Sequence, residues 1–438
     1  MIIQPRVLKG FRDFLPAGEI ARRNLLEKIE NSFRSYGFVP IDTPALEYAE
    51  ILLGKGGGET EKQVYRFTDN GGRDVALRFD LTVPFARFLA EHRAELDFPF
   101  KRYHIAKVWR GENTQRGRYR EFTQCDFDVI GSDSAASDFE ILHIMRKTLL
   151  AVSGGNIIIR MNHRGVFNRF LSRLGLLDKS VDILRTVDKL GKIGKEETLK
   201  LLSEKVGDAC ARGILDFIGI SGSFEETLAA MTGAAGAGPE TERLAQIRLF
   251  MLEAGIADSF ILDPSITRGL DYYTGVVFES FLADLPGIGS VCSGGRYDNL
   301  VGLYSKEPLT GVGASIGIDR LIAGLEALCR LEAEKSYARI AIACVSRAAA
   351  GSSQAGACQA GAFQALAEKL REKGIPCEVF LEEDKLSRQF QMAEKKGHKW
   401  LIIPDTEKPL TGPFTLRDLA KRENREGLTM DEVMEFLD

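Results

Sequence analysis

The stretch WRGENTQRGRYREFTQCDFDVIG, residues 109–131, predicts two antiparallel strands joined by a polar loop. The flanking segments are rich in aromatic and β-branched residues, and NTQRG between them is polar and contains glycine, as a hairpin loop should. Side chains alternate between the faces of a strand, so one face of the second strand should carry Phe122, Gln124, Asp126 and Asp128. Such a polar row in an apolar strand fits either a solvated sheet face or the floor of a binding site.

Further strand-like segments lie on both sides of this hairpin. KQVYRFTD, DVALRFD and FKRYHIAKVWR precede it, and SFILDPS, GVVFESF and GSVCSGGRYDNLVG follow later in the chain. GVGASIGIDRLIAGLEAL predicts a strand that leads into a helix. Because short polar turns rather than crossover helices separate the first group, an antiparallel sheet is favoured.

Helical patterns divide the chain into larger parts. Residues 165–255 are amphipathic with little strand signal, which predicts a helical insertion within a sheet domain that spans residues 1–330. From RIAIACV onward strands alternate with helices, which predicts a separate α/β domain over residues 336–438. The predicted fold class is therefore α+β, with a second α/β domain.

Composition and charge exclude several classes of protein. With 58 Lys and Arg against 62 Asp and Glu, the net charge of -4 argues against an all-over basic coat for nucleic acid and leaves a local basic groove open. Seven cysteines and five histidines are scattered without CxxC or metal-ligand spacing, so neither a zinc site nor a disulfide framework is expected. The sequence shows neither a signal-peptide pattern nor an apolar stretch that could span a bilayer, so we expect a soluble, cytoplasmic protein without membrane association.

Three further segments place polar side chains next to apolar runs. LRFDLTVPFARF predicts Asp80 and Thr82 on one strand face, and CSGGRYDNLVG predicts a Gly-Gly turn. In RGLDYYTGVVFE, residues 268–279, Tyr272 and Tyr273 should point to opposite faces, with Arg268 at the strand entrance. Taken alone, an ion pair with two half-buried tyrosines explains this last segment as well as a binding site does.

The arginines of the hairpin suggest what such a site binds. Four of them, at positions 110, 116, 118 and 120, lie within eleven residues. Guanidinium groups make paired hydrogen bonds to phosphate oxygens, so arginines at strand ends suit a polyphosphate. The chain has neither the GxGxxG fingerprint nor the P-loop GxxxxGK, so this site does not follow the Rossmann or Walker pattern.

These segments together resemble a known family. RGENTQRGRYREFTQCDFDVIG resembles motif 2 of class II aminoacyl-tRNA synthetases, GVGASIGIDRL resembles motif 3, and GFVPIDTPALE is similar to motif 1, with Pro44 as its proline. RGLDYY and SGGRYDNLV resemble the two signature motifs of the histidyl-tRNA synthetase family. The resemblance extends over nearly the whole chain, and it implies a catalytic domain, a helical insertion and an anticodon-binding domain.

The resemblance implies ligation of L-histidine to tRNA(His), with ATP and Mg²⁺, by a cytoplasmic homodimer. It assigns catalysis to Arg110 and Arg268, and no protein-side metal ligand. The implied histidine-binding residues are Asp80, Leu81, Thr82, Arg110, Gln124, Asp128, Arg268, Tyr272 and Tyr273. The implied ATP-binding residues are Arg110, Glu112, Arg118, Phe122 and Arg320.

Two alternatives share parts of this pattern. The regulatory subunit of ATP phosphoribosyltransferase has the same fold and binds histidine as a signal, but it generally lacks the C-terminal domain and has degraded signature motifs. Here Arg110, Arg268 and Arg320 are all present. A sensing or tRNA-binding module fused to other machinery would require additional domains, for which the chain has no room.

Overall fold

The structure is a computed structural model that describes residues 2–54, 59–266, 273–345 and 355–437. The chain divides into two compact units. One consists of Met1–Asp13 with Leu25–Leu331, and the other of Phe14–Asn24 with Glu332–Asp438. Among the described residues, no helix is both long and apolar enough to cross a membrane.

The first unit contains a large sheet and a small one. Its strands, in chain order, are β1 (Val39–Pro40), β2 (Leu46–Tyr48), β3 (Arg66–Thr68), β4 (Asp74–Leu77), β5 (Phe100–Trp109), β6 (Glu121–Ile130), β7 (Ile157–His163), β8 (Phe260–Leu262), β9 (Val276–Leu282), β10 (Cys292–Tyr297) and β11 (Gly311–Gly317). The large sheet has the order β1-β5-β6-β11-β10-β9-β7-β8, and the small one β2-β4-β3. Only the outer pairs β1–β5 and β7–β8 are parallel among the described strands of the large sheet, so the predicted antiparallel α+β fold is confirmed.

Helices surround these sheets and fill the predicted insertion. In chain order they are α1 (Pro16–Ser35), α2 (Ala49–Leu53), α3 (Thr82–Glu91), α4 (Ala135–Ser153), α5 (Arg164–Arg173), α6 (Ser180–Val187), α7 (Leu190–Val206), α8 (Asp208–Ile218), α9 (Phe224–Ala235), α10 (Pro239–Glu253) and α11 (Ile318–Ala327). Helices α5 to α10 lie between β7 and β8, where the sequence predicted helices.

The two faces of the central hairpin have different partners. On β6, Cys125, Phe127 and Val129 are buried in the main hydrophobic core, which also contains residues of α1 and α4. The ring centroids of Phe33 and Phe127 lie 4.7 Å apart within this core. Because side chains alternate along a strand, the polar row of β6 faces away from the core. This alternation leaves the opposite face of the sheet available for a site.

The prediction that Asp80 and Thr82 share a strand face is wrong. Strand β4 ends at Leu77, and Thr82 is already the first residue of helix α3. The Asp80 carboxylate accepts a hydrogen bond of 3.0 Å from the backbone N–H of Val83, which otherwise has no partner in the first helical turn. A capping carboxylate followed by Pro84 in the first turn is a helix start signal, and here it overrides the strand pattern.

The predicted Gly-Gly turn is also wrong, because Gly294 and Gly295 lie inside strand β10. Close packing explains the two glycines. A Cβ atom at Gly294 would lie 2.1 Å from the carbonyl oxygen of Gly313, and one at Gly295 would lie 2.8 Å from the ring of Tyr273. The glycines thus allow close approach by neighbouring groups, as expected, but within a strand.

The second unit has its own five-stranded sheet, in the order β13-β12-β14-β15-β16. Its elements are β12 (Ile340–Ile342), α12 (Ala355–Arg371), β13 (Cys377–Val379), α13 (Leu386–Lys396), β14 (Trp400–Ile403), β15 (Phe414–Asp418), β16 (Glu423–Leu428) and α14 (Met430–Leu437). The first three strands of the sheet are parallel, as their alternation with helices predicts, and β14, β15 and β16 are antiparallel.

Candidate active site

A cavity of about 770 Å³ lies over the polar face of the large sheet. Ten residues that the sequence assigned to the site line it: Asp80, Thr82, Arg110, Glu112, Arg118, Phe122, Gln124, Asp128, Tyr273 and Arg320. Leu81 is fully buried and is not among the lining residues. Arg268 and Tyr272, also assigned to the site, lie outside the described residues.

Small residues on β11 make room for the polar side chains of β6. Gly313, Ser315 and Gly317 lie directly opposite Asp128, Asp126 and Gln124 in the strand register. A Cβ atom at Gly313 would lie 1.9 Å from Oδ1 of Asp128, a separation that no side chain can occupy. Gly313 therefore allows the Asp128 carboxylate to lie over the strand.

One part of the cavity floor offers hydrogen-bond acceptors. Asp80 and Gln124 are both buried, and neither Asp80 Oδ2 nor Gln124 Oε1 has a hydrogen-bond partner in the part of the chain that the structure describes. The amide nitrogen of Gln124 donates to the Ser315 hydroxyl over 2.7 Å, which fixes the amide orientation. Buried acceptors without partners are costly unless a ligand supplies donors, so this part of the cavity suits an ammonium group.

Asp128 is held by two groups of the protein. The Tyr297 hydroxyl donates to Asp128 Oδ1 over 2.6 Å, and Arg102 Nη2 lies 2.6 Å from Asp128 Oδ2. A carboxylate has about four lone-pair sites, so Asp128 retains capacity to accept a further hydrogen bond from a ligand.

Burial is the main influence on the pKa values of the three carboxyl groups on the cavity floor, those of Asp80, Asp126 and Asp128 (the floor carboxyls). It raises the pKa of Asp80 to about 6, although the backbone N–H of Val83 and the charge of Arg110 act in the opposite direction. Burial raises the pKa of Asp126 to about 7, against the charge of Arg102, and it raises the pKa of Asp128 as well. Burial thus favours the protonated carboxyls, and a bound cation would favour the carboxylates.

Cations line another part of the cavity. Arg110 donates from Nε to the Phe79 carbonyl oxygen over 2.8 Å, and its guanidinium carbon lies 5.1 Å from the centre of the Phe122 ring. Arg320 donates to the Ser290 carbonyl oxygen over 2.6 Å, and burial lowers its pKa. Both guanidinium groups keep further N–H donors, so the cavity combines an acceptor region with an arginine-rich region.

Three residues at the cavity floor had no role assigned from the sequence. Asp126 and Ser315 line the cavity, and Arg102 lies beside Asp128, fully buried. The alternation of β6 correctly predicted that Asp126 shares a face with Gln124 and Asp128. Arg102 gave no such signal, because a lone arginine in a strand usually lies at the surface.

Comparison with known proteins identifies the family of the chain. The histidyl-tRNA synthetase family model matches residues 10–321, and the anticodon binding domain model matches residues 340–438. The chain belongs to the histidyl-tRNA synthetase family. A histidine–tRNA ligase from Treponema denticola is 54% identical over 414 residues, which cover 93% of this chain and 90% of that protein.

Solved structures of the family have the same fold. A histidyl-tRNA synthetase from Nostoc sp. PCC 7120 is 31% identical, with a TM-score of 0.87 over 100% of this chain and 99% of that one. A chain from Bacillus halodurans, described as an ATP phosphoribosyltransferase regulatory subunit/histidyl-tRNA synthetase, is 21% identical. Its TM-score is 0.74 over 92% of this chain and 99% of its own, and that likeness shows the fold alone.

Proposed function

We propose that the chain is a histidine–tRNA ligase that activates L-histidine with ATP and transfers the histidyl group to the 3′ end of tRNA(His). The observation that carries the proposal is the cavity itself. It brings together side chains from four separate segments of the chain, around residues 80, 110–128, 273 and 320. Membership of the histidyl-tRNA synthetase family supports the same activity.

The hydrogen-bond acceptors on the cavity floor support the assignment of this part of the cavity to histidine. Asp80, Thr82 and Gln124 receive the α-ammonium group, and the buried acceptors of Asp80 and Gln124 gain their missing partners. Asp128 and Tyr273 bond the two imidazole nitrogens, and Tyr272 forms a wall of the pocket, although Tyr272 lies outside the described residues. A site that hydrogen-bonds both ends of a ring rejects apolar isosteres by roughly 10⁴–10⁵-fold.

The arginines support the assignment of the other part of the cavity to ATP. Arg110 and Arg268 bind the α-phosphate, and the second of these assignments rests on the resemblance alone because Arg268 is outside the described residues. Glu112, Arg118 and Arg320 hold the rest of the nucleotide, and Phe122 packs against the adenine ring. The carboxylate of histidine attacks the α-phosphorus atom and pyrophosphate leaves, so no protein nucleophile is required. The task of the arginines is to neutralise charge that develops on the phosphate oxygens.

Magnesium accompanies ATP in this proposal. Two carboxylates, Glu112 and Glu279, line the cavity near Arg320. The structure contains no group of three or more candidate metal ligands among its described residues. Mg²⁺ is commonly held by one or two carboxylates together with substrate phosphates, so these two residues fit a metal that enters with the nucleotide.

The second unit and the dimer complete the proposal. Residues 336–438 bind the anticodon of tRNA(His), in keeping with the anticodon binding domain match. Two chains form a cytoplasmic homodimer around GFVPIDTPALE, where Val39 and, on the small sheet, Leu46, Tyr48 and Phe67 are at least 40% exposed. Sedimentation should give about twice the 48.4 kDa mass of one chain, and a stable, active monomer would contradict the dimer.

The regulatory-subunit alternative is less well supported. The curated relatives at 40–54% identity are named histidine–tRNA ligases, and the chain covers at least 90% of the length of the first of them. The arginines at 110, 118 and 320 line the cavity, as a nucleotide site requires and a histidine sensor does not.

Exchange of labelled pyrophosphate into ATP tests the activity. Each of the twenty amino acids is supplied singly to the full-length protein with ATP and Mg²⁺. We expect exchange with L-histidine and none above background with the others. Histidine binding without any exchange would support the regulatory alternative instead.

The assignment of the imidazole pocket has a separate test. Asp128→Asn removes a charged hydrogen-bond acceptor, so the KM for histidine should rise about 10- to 100-fold. Tyr273→Phe removes a neutral hydrogen bond and should raise this KM up to about tenfold. The KM for ATP should change little in either variant. Equal losses for both substrates would argue against an imidazole pocket at these residues.

A further inference from the structure

The buried arginine beside Asp128 has no role in the function proposed so far. Arg102 is 0% exposed, and no nitrogen of its guanidinium has a hydrogen-bond partner among the described residues. Its contacts are the ion pair with Asp128, without a well-aligned hydrogen bond, and the face of the Phe85 ring at 3.9 Å from the guanidinium carbon. Burying a charge in this way is costly, and stability alone would favour an apolar residue.

Strand register places this arginine against the row of carboxyls. Arg102 on β5 lies directly opposite Asp128 on β6, and the next residue on the same face of β5, His104, lies opposite Asp126. The charge of Arg102 favours the ionised form of Asp80, Asp126 and Asp128. Arg102 does not line the cavity, so it acts on a ligand through these carboxylates and not by contact.

We propose that Arg102 is a positioning residue that favours the ionised form of the floor carboxylates and thereby sets the lowest pH at which the cavity binds histidine. The proposal rests on the proposed function, because it assumes that Asp80 receives the α-ammonium group and Asp128 the imidazole. Without Arg102, three buried carboxyls would share one small region, and mutual repulsion and burial would protonate them at neutral pH. A protonated carboxyl pairs poorly with an ammonium group.

Several other groups face the same carboxyls and stay unchanged in the test. They are Arg78 after β4, His104 on β5, Arg110 after β5, Cys292 and Tyr297 on β10, and Tyr304 beyond β10. Burial lowers the pKa of His104 to about 4, so it is neutral over the working range. The pH profile of the wild type includes all of these groups and the titration of histidine itself. The difference between variant and wild type therefore reports the loss of the Arg102 charge, which also acts on His104 and Tyr297.

The test is the pH dependence of kcat/KM for histidine in pyrophosphate exchange, measured from pH 6 to 9. In Arg102→Met, kcat/KM at pH 7 should fall at least about tenfold, and its acid limb should move upward by about one pH unit or more. The loss should appear in the KM for histidine, with the KM for ATP unchanged, and it should recover toward pH 9. Arg102→Lys keeps the charge and should keep the acid limb near that of the wild type.

Further variants separate electrostatics from folding. Arg102→Gln retains a donor toward Asp128 without the charge, so it should reproduce the shifted limb even if Arg102→Met does not fold. Asp126→Asn removes a repelling carboxyl and should move the limb downward, in the opposite direction. As a matched control, Arg243→Met breaks an ion pair of α10 with buried Asp138, which does not line the cavity. It should lower thermal stability without moving the limb.

Two results would overturn the proposal. One is a folded Arg102→Gln or Arg102→Met protein whose acid limb matches that of the wild type. The other is an Asp126→Asn protein with an unshifted limb. In both cases histidine-dependent exchange by the wild type would leave the proposed function intact, whereas its absence from the wild type would reject the proposed function itself.

Discussion

Replacement of Arg110 by alanine should lower the rate of histidine-dependent pyrophosphate exchange by roughly 10²–10³-fold, the usual cost of removing one preorganised group that stabilises transition-state charge. The Nε–H of Arg110 is held by the Phe79 carbonyl oxygen, and this contact aims the remaining donors into the cavity. Negative charge increases on the α-phosphate as the histidine carboxylate attacks, so the loss should fall mainly on kcat. Rapid-quench measurement of adenylate formation isolates that step.

Two controls accompany this variant. Arg110→Lys keeps the positive charge but lacks the planar guanidinium group that can bind a phosphate through two N–H groups, so it should recover only part of the rate. Arg173→Ala removes an exposed arginine of the helical insertion that donates to the Ala234 carbonyl oxygen outside the cavity, and it should exchange at the wild-type rate. An exchange rate for Arg110→Ala within threefold of the wild-type rate would show that this arginine does not stabilise the α-phosphate.

Gly313→Ala should weaken histidine binding by roughly a hundredfold, although it adds a single methyl group. The new Cβ would lie 1.9 Å from Asp128 Oδ1 and 2.8 Å from the Phe127 carbonyl oxygen. The strand backbone cannot move without breaking its register with β6, so the Asp128 carboxylate must leave its position. Isothermal titration with histidine measures the loss directly.

The matched control is Gly287→Ala. Gly287 also lines the cavity, but a Cβ atom there would meet no atom within 4 Å, so histidine affinity should be unchanged. Thermal unfolding of both variants distinguishes local displacement from general destabilisation. If Gly313→Ala binds histidine as the wild type does, Asp128 does not hold the ring in the position proposed here.

The hairpin was predictable because its signal is local. A period of two along β6 depends only on backbone geometry, and it correctly placed Phe122, Gln124 and Asp128 on the cavity side. The alternation of strands and helices from β12 to β14 followed from similar local patterns, whereas α4, β7, β15, β16 and α14 were not predicted.

The remaining parts of the site depend on contacts that no local pattern reveals. The pattern around Asp80 predicts a strand, whereas in the folded chain its carboxylate accepts a hydrogen bond from the first turn of α3. Arg102 is buried because Asp128 and Phe85, from other elements, surround it. Gly294 and Gly295 lie in a strand, and they are glycines because neighbouring groups pack too closely for a side chain, not because the chain turns there. The roles of Arg268 and Tyr272 remain predictions from the sequence.

A crystal structure of the protein with histidine and a non-hydrolysable ATP analogue tests the central claim most directly. The account predicts the imidazole between Asp128 and Tyr273, the α-ammonium group within hydrogen-bonding distance of Asp80 and Gln124, and the α-phosphate at Arg110. Histidine bound with its ring away from Asp128, or a nucleotide whose α-phosphate does not contact Arg110, would contradict it.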